Sequence, residues 1–449
     1  MSEDYDLVIR ARSAVTPEGE RPAAVAVRDG RIAAVAEYAA PLRARSDVEL
    51  DGAEVLLPGL VDSHVHVNEP GRTDWEGFAS ATRAAAAGGV TTIVDMPLNS
   101  IPPTTTAAGL AAKRSAAEGQ VSVDVGFWGG AVPENTAPGG VAELKKLHDQ
   151  GVYGFKSFLS PSGVDEFGHL TAAEFRSAAE AIGTFGGLLI VHAEDPGVLD
   201  AAPDAAGRDY ASFLASRPDE AEHDAIALVI ETARATGTRS HILHLSSATA
   251  LPMIRRAKDD GVPITVETCP HYLTIAAEQV PAGATQFKCC PPIRGAANRD
   301  ALWQALGEGL IDCIVSDHSP STPDLKDLAT GDFGTAWGGV SGLQVGFSAV
   351  WTEAQRRGFA LGDVVRWMAA APARIAGTAG KGRIAVGSDA DFAVVAPAAE
   401  STVDARTLQH KNPLSAYDGA LLRGVVRATW LRGTPVDPDA PRGRLLTRG

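Results

Sequence analysis

Between Leu60 and Asp317 the chain alternates short apolar runs with longer stretches whose apolar side chains recur three and four residues apart. The runs are Leu60–His66, Thr91–Met96, Val121–Phe127, Tyr153–Leu159, Leu188–Ala193, His241–Leu245, Ile264–Thr268 and Cys313–Asp317. Between them, Ala79–Ala87, Ala172–Ile182, Asp219–Thr236 and Ala297–Gly307 are Ala-, Leu- and Glu-rich and read as helices. Eight strand–helix units in succession predict an α/β fold, a (β/α)8 TIM barrel over residues 58–382. The two ends read differently. Residues 1–57 hold Leu7-Val8-Ile9, then Ala24–Val27 and Ile32–Val35 joined through Asp29-Gly30, a two-residue hairpin signal. Residues 383–449 hold Asp391–Val395, Val425–Trp430, a turn at Gly433 and Pro435-Val436. Neither end is large enough to enclose a core, so the two are expected to pair into one small domain. Pro- and Gly-rich stretches at 100–104 and 320–339 read as long loops, the second placed to cover a site.

Composition narrows the function classes. Hydrophobic residues make up 45% and charged residues 21%, which excludes a disordered chain. Lys plus Arg (40) against Asp plus Glu (55) gives −15 with no long basic run, which argues against nucleic acid and anionic membranes as partners. No apolar run reaches the ~18 residues of a membrane span, and the start, Met1-Ser-Glu-Asp-Tyr-Asp, lacks the pattern of a secretory leader, so a cytoplasmic location is expected. Cys269, Cys289, Cys290 and Cys313 form no C-x-x-C pair and are expected to be buried, reduced thiols.

In a barrel of this kind, chemistry gathers at the C-terminal ends of the strands. The first run ends in His64-Val-His66, and alternation along a strand puts both imidazoles on one face, where they can share a metal. Lys156 sits inside an apolar strand, a costly place for a charge. His192, His244 and Asp317 close three further runs. Each alone has a plain structural explanation: a snorkelling lysine, a hydrogen-bonded core histidine, a helix-capping aspartate. Their joint placement on different strand ends converges them on one mouth. Two divalent cations there need an anionic bridge, and no Asp or Glu occupies the Lys156 position; a neutral lysine amine that adds CO2 becomes such a bridge. Water acidified by the cations could then attack an amide carbonyl, with Asp317 passing the proton to the departing nitrogen. No Gly-x-Ser-x-Gly elbow supports a serine hydrolase instead.

At these residues the chain resembles the cyclic-amidohydrolase branch of the amidohydrolase superfamily, and within it the allantoinase family. The motifs are His64-Val-His66-Val-Asn-Glu-Pro-Gly-Arg-Thr-Asp-Trp-Glu-Gly77, Asp95-Met-Pro-Leu-Asn-Ser-Ile-Pro-Pro103, Gly154-Phe-Lys-Ser-Phe-Leu-Ser-Pro-Ser-Gly163, Lys288-Cys-Cys-Pro-Pro-Ile-Arg294, Ser316-Asp-His-Ser-Pro320 and Ala336-Trp-Gly-Gly-Val-Ser-Gly-Leu-Gln344. The resemblance implies a binuclear centre, with His64, His66 and Asp317 on one metal, His192 and His244 on the other, and Lys156 carboxylated between them. Zinc is the first choice; cobalt, manganese and nickel suit the same ligands. It also implies opening of the hydantoin ring of allantoin to allantoate in purine catabolism, a homotetramer, and a β-sandwich built from both chain ends.

Departures within the branch sharpen the expectation. Dihydroorotases carry Arg at the position of Asn68, where it meets a substrate carboxylate that allantoin lacks; hydantoinases carry Tyr at the position of Pro161. Asn68, Asn99, Ser319 and Cys290 are the expected substrate contacts, with Cys290 where the family more often has Ser. Trp75 and Trp337 read equally as pocket or loop packing, and His271 and His318 as orienting groups or structural hydrogen-bond partners. The alternatives are a hydantoinase or dihydropyrimidinase and, from a different class, a scaffold protein that has lost its ligands; no ligand is missing here.

Overall fold

The computed structural model describes residues 5–137 and 139–448. Residues 1–4, where the leader motif was sought, lie outside the described residues. Five strands open the chain: β1 (Tyr5–Thr16), β2 (Gly19–Arg28), β3 (Arg31–Ala36), β4 (Ala44–Glu49) and β5 (Val55–Pro58). The β2–β3 hairpin turns on Asp29 (φ 52°) and Gly30 (φ 74°), the two left-handed residues that a type I′ turn requires.

The barrel follows: β6 (Leu60–Val65), β7 (Val90–Asp95), β8 (Asp124–Phe127), β9 (Gly129–Gly130), β10 (Phe155–Phe158), β11 (Leu188–His192), β12 (Arg239–Ile242), β13 (Ile264–Thr268) and β14 (Cys313–Ile314). Every expected run is a strand. The third is shorter than its apolar stretch, and Trp128 separates β8 from the two-residue β9. All pairings are parallel, β6-β7-β8 in one sheet and β9 through β14 in order in another. His318 closes the ring, bridging Val65 and accepting from the His66 N–H at 2.8 Å.

Helices lie at Phe78–Ala87, Ala172–Gly183, Asp219–Thr236 and Ala296–Gly307, within one residue of the periodicity at each end. Thr171 and Glu174 cap one of them reciprocally, and Gly237 at φ 70° terminates another. β6, β7, β8, β10 and β11 are buried along their whole length, as parallel strands covered by helices on one side and side chains on the other must be.

The chain end adds β15 (Phe392–Thr402), β16 (Leu421–Leu431) and β17 (Thr434–Pro435), and β5–β15 pairing joins the two ends in one sheet, β17-β16-β15-β5-β1-β2-β3, with β4 on β1. Alternation along β15 does two jobs. Phe392 and Val394 pack with Ile9, Val25 and Leu56 in the small domain, while Ala393 and Val395 join the barrel core. A buried network adds to this docking: Lys381 Nζ lies 2.6, 2.9 and 2.7 Å from carboxylate oxygens of Asp124, Asp389 and Asp391. Lys381 therefore fills that acidic cluster as its counter-ion.

Candidate metal centre and substrate pocket

β6 delivers His64 and His66 to one face, as alternation predicts, with ring centroids 5.4 Å apart. Their Nε2 atoms lie 3.1 and 3.6 Å from Asp317 Oδ1. His192 ends β11, and its Nδ1 stands 3.0 Å from His244 Nε2. His244 is also 5.3 Å, centroid to centroid, from His64, which links the two pairs. His64, His244 and Asp317 each place one donor atom within 4.8 Å of the others. Lys156, on β10, is 1% exposed with Nζ 4.7 Å from the Phe158 ring centroid. The six residues singled out from the sequence thus meet at one end of the barrel.

Two of them arrive by an unexpected backbone route. β12 stops at Ile242 and β14 at Ile314, so His244 and Asp317 lie beyond their strands, at φ 35° and 44°. The left-handed region is costly for residues with a Cβ, and such strain concentrates where a side chain must be aimed. Register survives the turns: Leu245 N–H donates to Glu267 O at 2.8 Å, and Ser316 N–H reaches Asp62 Oδ2 at 3.1 Å.

Two carboxylates around the centre, Glu267 and Glu194, carry roles that the sequence reading did not assign. Glu267, on β13, accepts from His64 Nδ1 at 2.5 Å, from His241 Nε2 at 2.9 Å and from the His244 N–H at 3.2 Å. A carboxylate only accepts, so it holds the His64 proton on Nδ1 and frees Nε2 as a ligand atom. Glu194 accepts from His192 Nε2 at 2.7 Å and from Arg217, which holds the His192 proton on Nε2 and leaves Nδ1 as the acceptor that faces His244 Nε2. A carboxylate inside the apolar run Ile264–Thr268 was the available signal for Glu267, the same signal that picked out Lys156.

The electrostatics follow from burial. Loss of water pulls the Lys156 amine down to about 8. Burial alone would raise the Asp317 carboxyl, but the imidazoles of His64, His244 and His66 hold it well below the usual carboxylate range. His66 and His244 are driven well below the usual imidazole value, first by burial, so both are neutral donors. His64 Nε2, His66 Nδ1 and His244 Nδ1 are buried without any hydrogen-bond partner. The neutral imidazoles of His66 and His244, with His64 held up by the Asp317 and Glu267 carboxylates despite its burial, form around Asp317 a donor set suited to divalent transition metals.

A cavity of about 340 Å³ opens above these groups, lined by His66, Asn99, Pro161, Cys290, Ser319 and Trp337 among others. Ser319 Oγ donates to Asp317 Oδ1 at 2.9 Å. Asn99 Nδ2 donates to Asn68 Oδ1 at 2.9 Å, and Asn68 Nδ2 to Pro320 O at 3.3 Å. Asn68 is fully buried and backs Asn99, which itself faces the cavity. Trp337 packs edge-on against Trp75 at 5.2 Å. His318 bonds Glu76 at 3.1 Å, a structural partnership, while His271 lies beside Asp317 with Nε2 unpartnered. All four cysteines are free; three are buried and Cys290 is partly exposed. A larger cavity, about 610 Å³, lies around Arg366, Arg374 and Arg383, and no histidine lines it.

Comparison with known proteins places this geometry. Residues 55–436 match the amidohydrolase family. The chain is 59% identical to an allantoinase of Streptomyces avermitilis over 99% of each chain. It is 48% identical to an allantoinase of Saccharomyces cerevisiae, covering 86% of this chain and 83% of that one. Among solved structures, the L-hydantoinase (dihydropyrimidinase) from Arthrobacter aurescens superposes with a TM-score of 0.90 at 30% identity, covering 99% of this chain and 98% of that one.

Proposed function

The chain belongs to the amidohydrolase family, and from that premise we propose that it opens the hydantoin ring of allantoin by hydrolysis, giving allantoate. The observation that carries the reading is the convergence of four histidines, Lys156 and Asp317 beneath a pocket walled by Asn99 and Ser319. In this reading the barrel, 58–382, is the catalytic unit, and 1–57 with 383–449 form the supporting domain.

The donor set would hold two divalent cations, zinc by preference: His64, His66 and Asp317 one, His192 and His244 the other, with Lys156, once carboxylated, serving both. When bound, the cations supply Lewis acidity, polarising the ring carbonyl and making water acidic near neutral pH. The protein's own groups do the rest. Lys156, its amine already lowered by burial, would add CO2 through Nζ and release a proton, replacing a buried cation with a carboxylate that could serve a metal. Glu267 and Glu194 hold the tautomers of His64 and His192. Asp317, ionised and facing His64 and His66, takes the proton of the attacking water. As the ring C–N bond breaks, it returns that proton to the leaving nitrogen, and the former carbonyl carbon is left as a carboxylic acid, whose remaining proton passes to solvent to give the carboxylate. Asn99 orients the ring or ureido amide with its side-chain amide, and Ser319 steadies Asp317. Cys290 and Asn68 complete the substrate wall, the first at its surface and the second behind Asn99.

A hydantoinase or dihydropyrimidinase is the second reading, favoured by the fold-wide match to the L-hydantoinase structure. Rates of metal-loaded protein on allantoin, hydantoin, dihydrouracil and dihydroorotate separate the two. Allantoin is expected to lead; preference for any of the others overturns the substrate while leaving the reaction class. We further propose a cytoplasmic homotetramer. No helix among the described residues is long and apolar enough to cross a membrane.

A further inference from the structure

One wall of the substrate cavity is the segment Ala336–Gly339, and two lysines outside the metal-site constellation hold it by its carbonyls. Lys326, only 3% exposed, donates from Nζ to Trp337 O at 3.0 Å and to Gly339 O. Lys288 donates to Ala336 O at 2.6 Å and reaches Gly334 O at 3.5 Å. Neither ammonium has a carboxylate within ion-pair distance among the described residues; the groups that act on Lys326 are Cys289, Lys288 and Cys290.

A buried ammonium without a counter-ion is unfavourable, and only the carbonyls offset that here. Burial draws Lys326 down to about 7, yet a neutral amine keeps two N–H donors for the same two carbonyls. The backbone on both sides is stitched to the same place. Gly339 N–H donates to Lys288 O at 2.8 Å, Trp337 N–H to Leu325 O at 2.7 Å, and Thr285 Oγ1 to Lys326 O. This ties the strip carrying Cys290 to the strip carrying Gly338. Contact is close enough that a Cβ placed on Gly338 would stand 3.5 Å from Cys290 Sγ.

We infer that Lys326, with Lys288 as the outer prong, is a positioning residue for ring recognition: it fixes the wall 334–339 against the Cys290 strip and so sets KM. The inference rests on the cavity being the substrate site proposed above. It touches neither the metal ligands nor Asp317, so the effect belongs to binding and not to the bond-breaking step.

The test uses metal-loaded protein with Lys326→Met, Lys326→Arg and Lys288→Met. Lys326→Met keeps an unbranched side chain one atom shorter and removes every donor. Its KM for allantoin is expected to rise about 10- to 100-fold with kcat within about threefold and metal content unchanged, the signature of lost binding. Amide hydrogen exchange over 334–339 should accelerate in the same variant. Lys326→Arg, which keeps donors, should recover part of the KM, and Lys288→Met should raise it about three- to tenfold. Unchanged exchange with KM within twofold of the parent in Lys326→Met overturns the inference. So does a fall in kcat accompanied by metal loss at unchanged KM. Should Lys326→Met not fold, Lys288→Met decides by the same two readouts. If the parent protein ignores allantoin but opens another cyclic amide, the substrate reading fails by itself. KM is then read with that amide, and the exchange measurement needs no substrate.

Discussion

Replacing Glu267 tests whether the centre is organised from beneath its ligands. Glu267 is 1% exposed and serves three donors: His64 Nδ1, His241 Nε2 and the His244 N–H. In Glu267→Gln the bonds lose their ionic character, and the amide NH2 must face one of the two imidazoles. His241 can absorb that change by moving its proton to Nδ1, where Thr265 Oγ1 lies at 2.7 Å. His64 then keeps Nε2 free, and the loss is the difference between a charge-assisted and a neutral bond, about 1–1.5 kcal/mol. That converts to roughly five- to tenfold in metal affinity. Glu267→Leu removes all three acceptors. Each stranded buried N–H costs about 1–3 kcal/mol, and His64 becomes free to carry its proton on Nε2. The expected loss is about 100-fold in affinity, the upper end for such orienting carboxylates. Titrating metal-free protein with zinc against a chromogenic competing chelator gives both values, and urea unfolding gives the stability loss separately. A Leu variant that binds zinc as tightly as the parent would refute the orienting role, whatever its activity.

The proton shuttle and the bridge give two further expectations. Asp317→Asn should lower kcat by about 10²–10⁴ while keeping most of the metal, measured by elemental analysis beside turnover; near-parental activity removes Asp317 from the proton path. Lys156→Ala should lose metal and activity together and regain part of both with added formate or acetate, and full activity without rescue excludes the carbamate. In the parent the amine sits at about 8, so metal uptake by apoprotein at fixed dissolved CO2 should rise through about pH 8 and then level off. The sign follows from the neutral amine being the form that adds CO2, so uptake that keeps climbing toward pH 10 points to an ordinary lysine.

Much of the molecule was legible from local order because its causes are local. A period of two or of 3.6 is written within a dozen residues, and it placed all eight barrel strands and four of the helices to within a few residues. Asp29-Gly30 predicted its hairpin because two adjacent left-handed residues are demanded there. The pairing of His64 with His66 is likewise an i, i+2 relation. Long-range agreement came from the regularity of the barrel, which sends every strand end to one face.

The contacts that tune the site came only from the fold. Glu267 and His64 stand 203 positions apart, and which imidazole nitrogen stays free depends on that one hydrogen bond. His244 and Asp317 are aimed by left-handed backbone beyond their strands, a conformation rare for residues with a Cβ even though Asp and His tolerate it better than most, and one that the surrounding packing fixes here. Asn68 lies behind Asn99, and Lys326 is buried among carbonyls of a loop that reads as polar surface. Sequence by itself determined which residues would share a face and an end of the barrel, since strand periodicity and strand polarity suffice for that. Tertiary structure decided the proton positions, the backbone strain and the order of residues from pocket wall to support. These depend on how segments two to about two hundred positions apart are brought face to face, as Glu194 to His192 and Glu267 to His64, and the hydrophobic period alone does not carry that information.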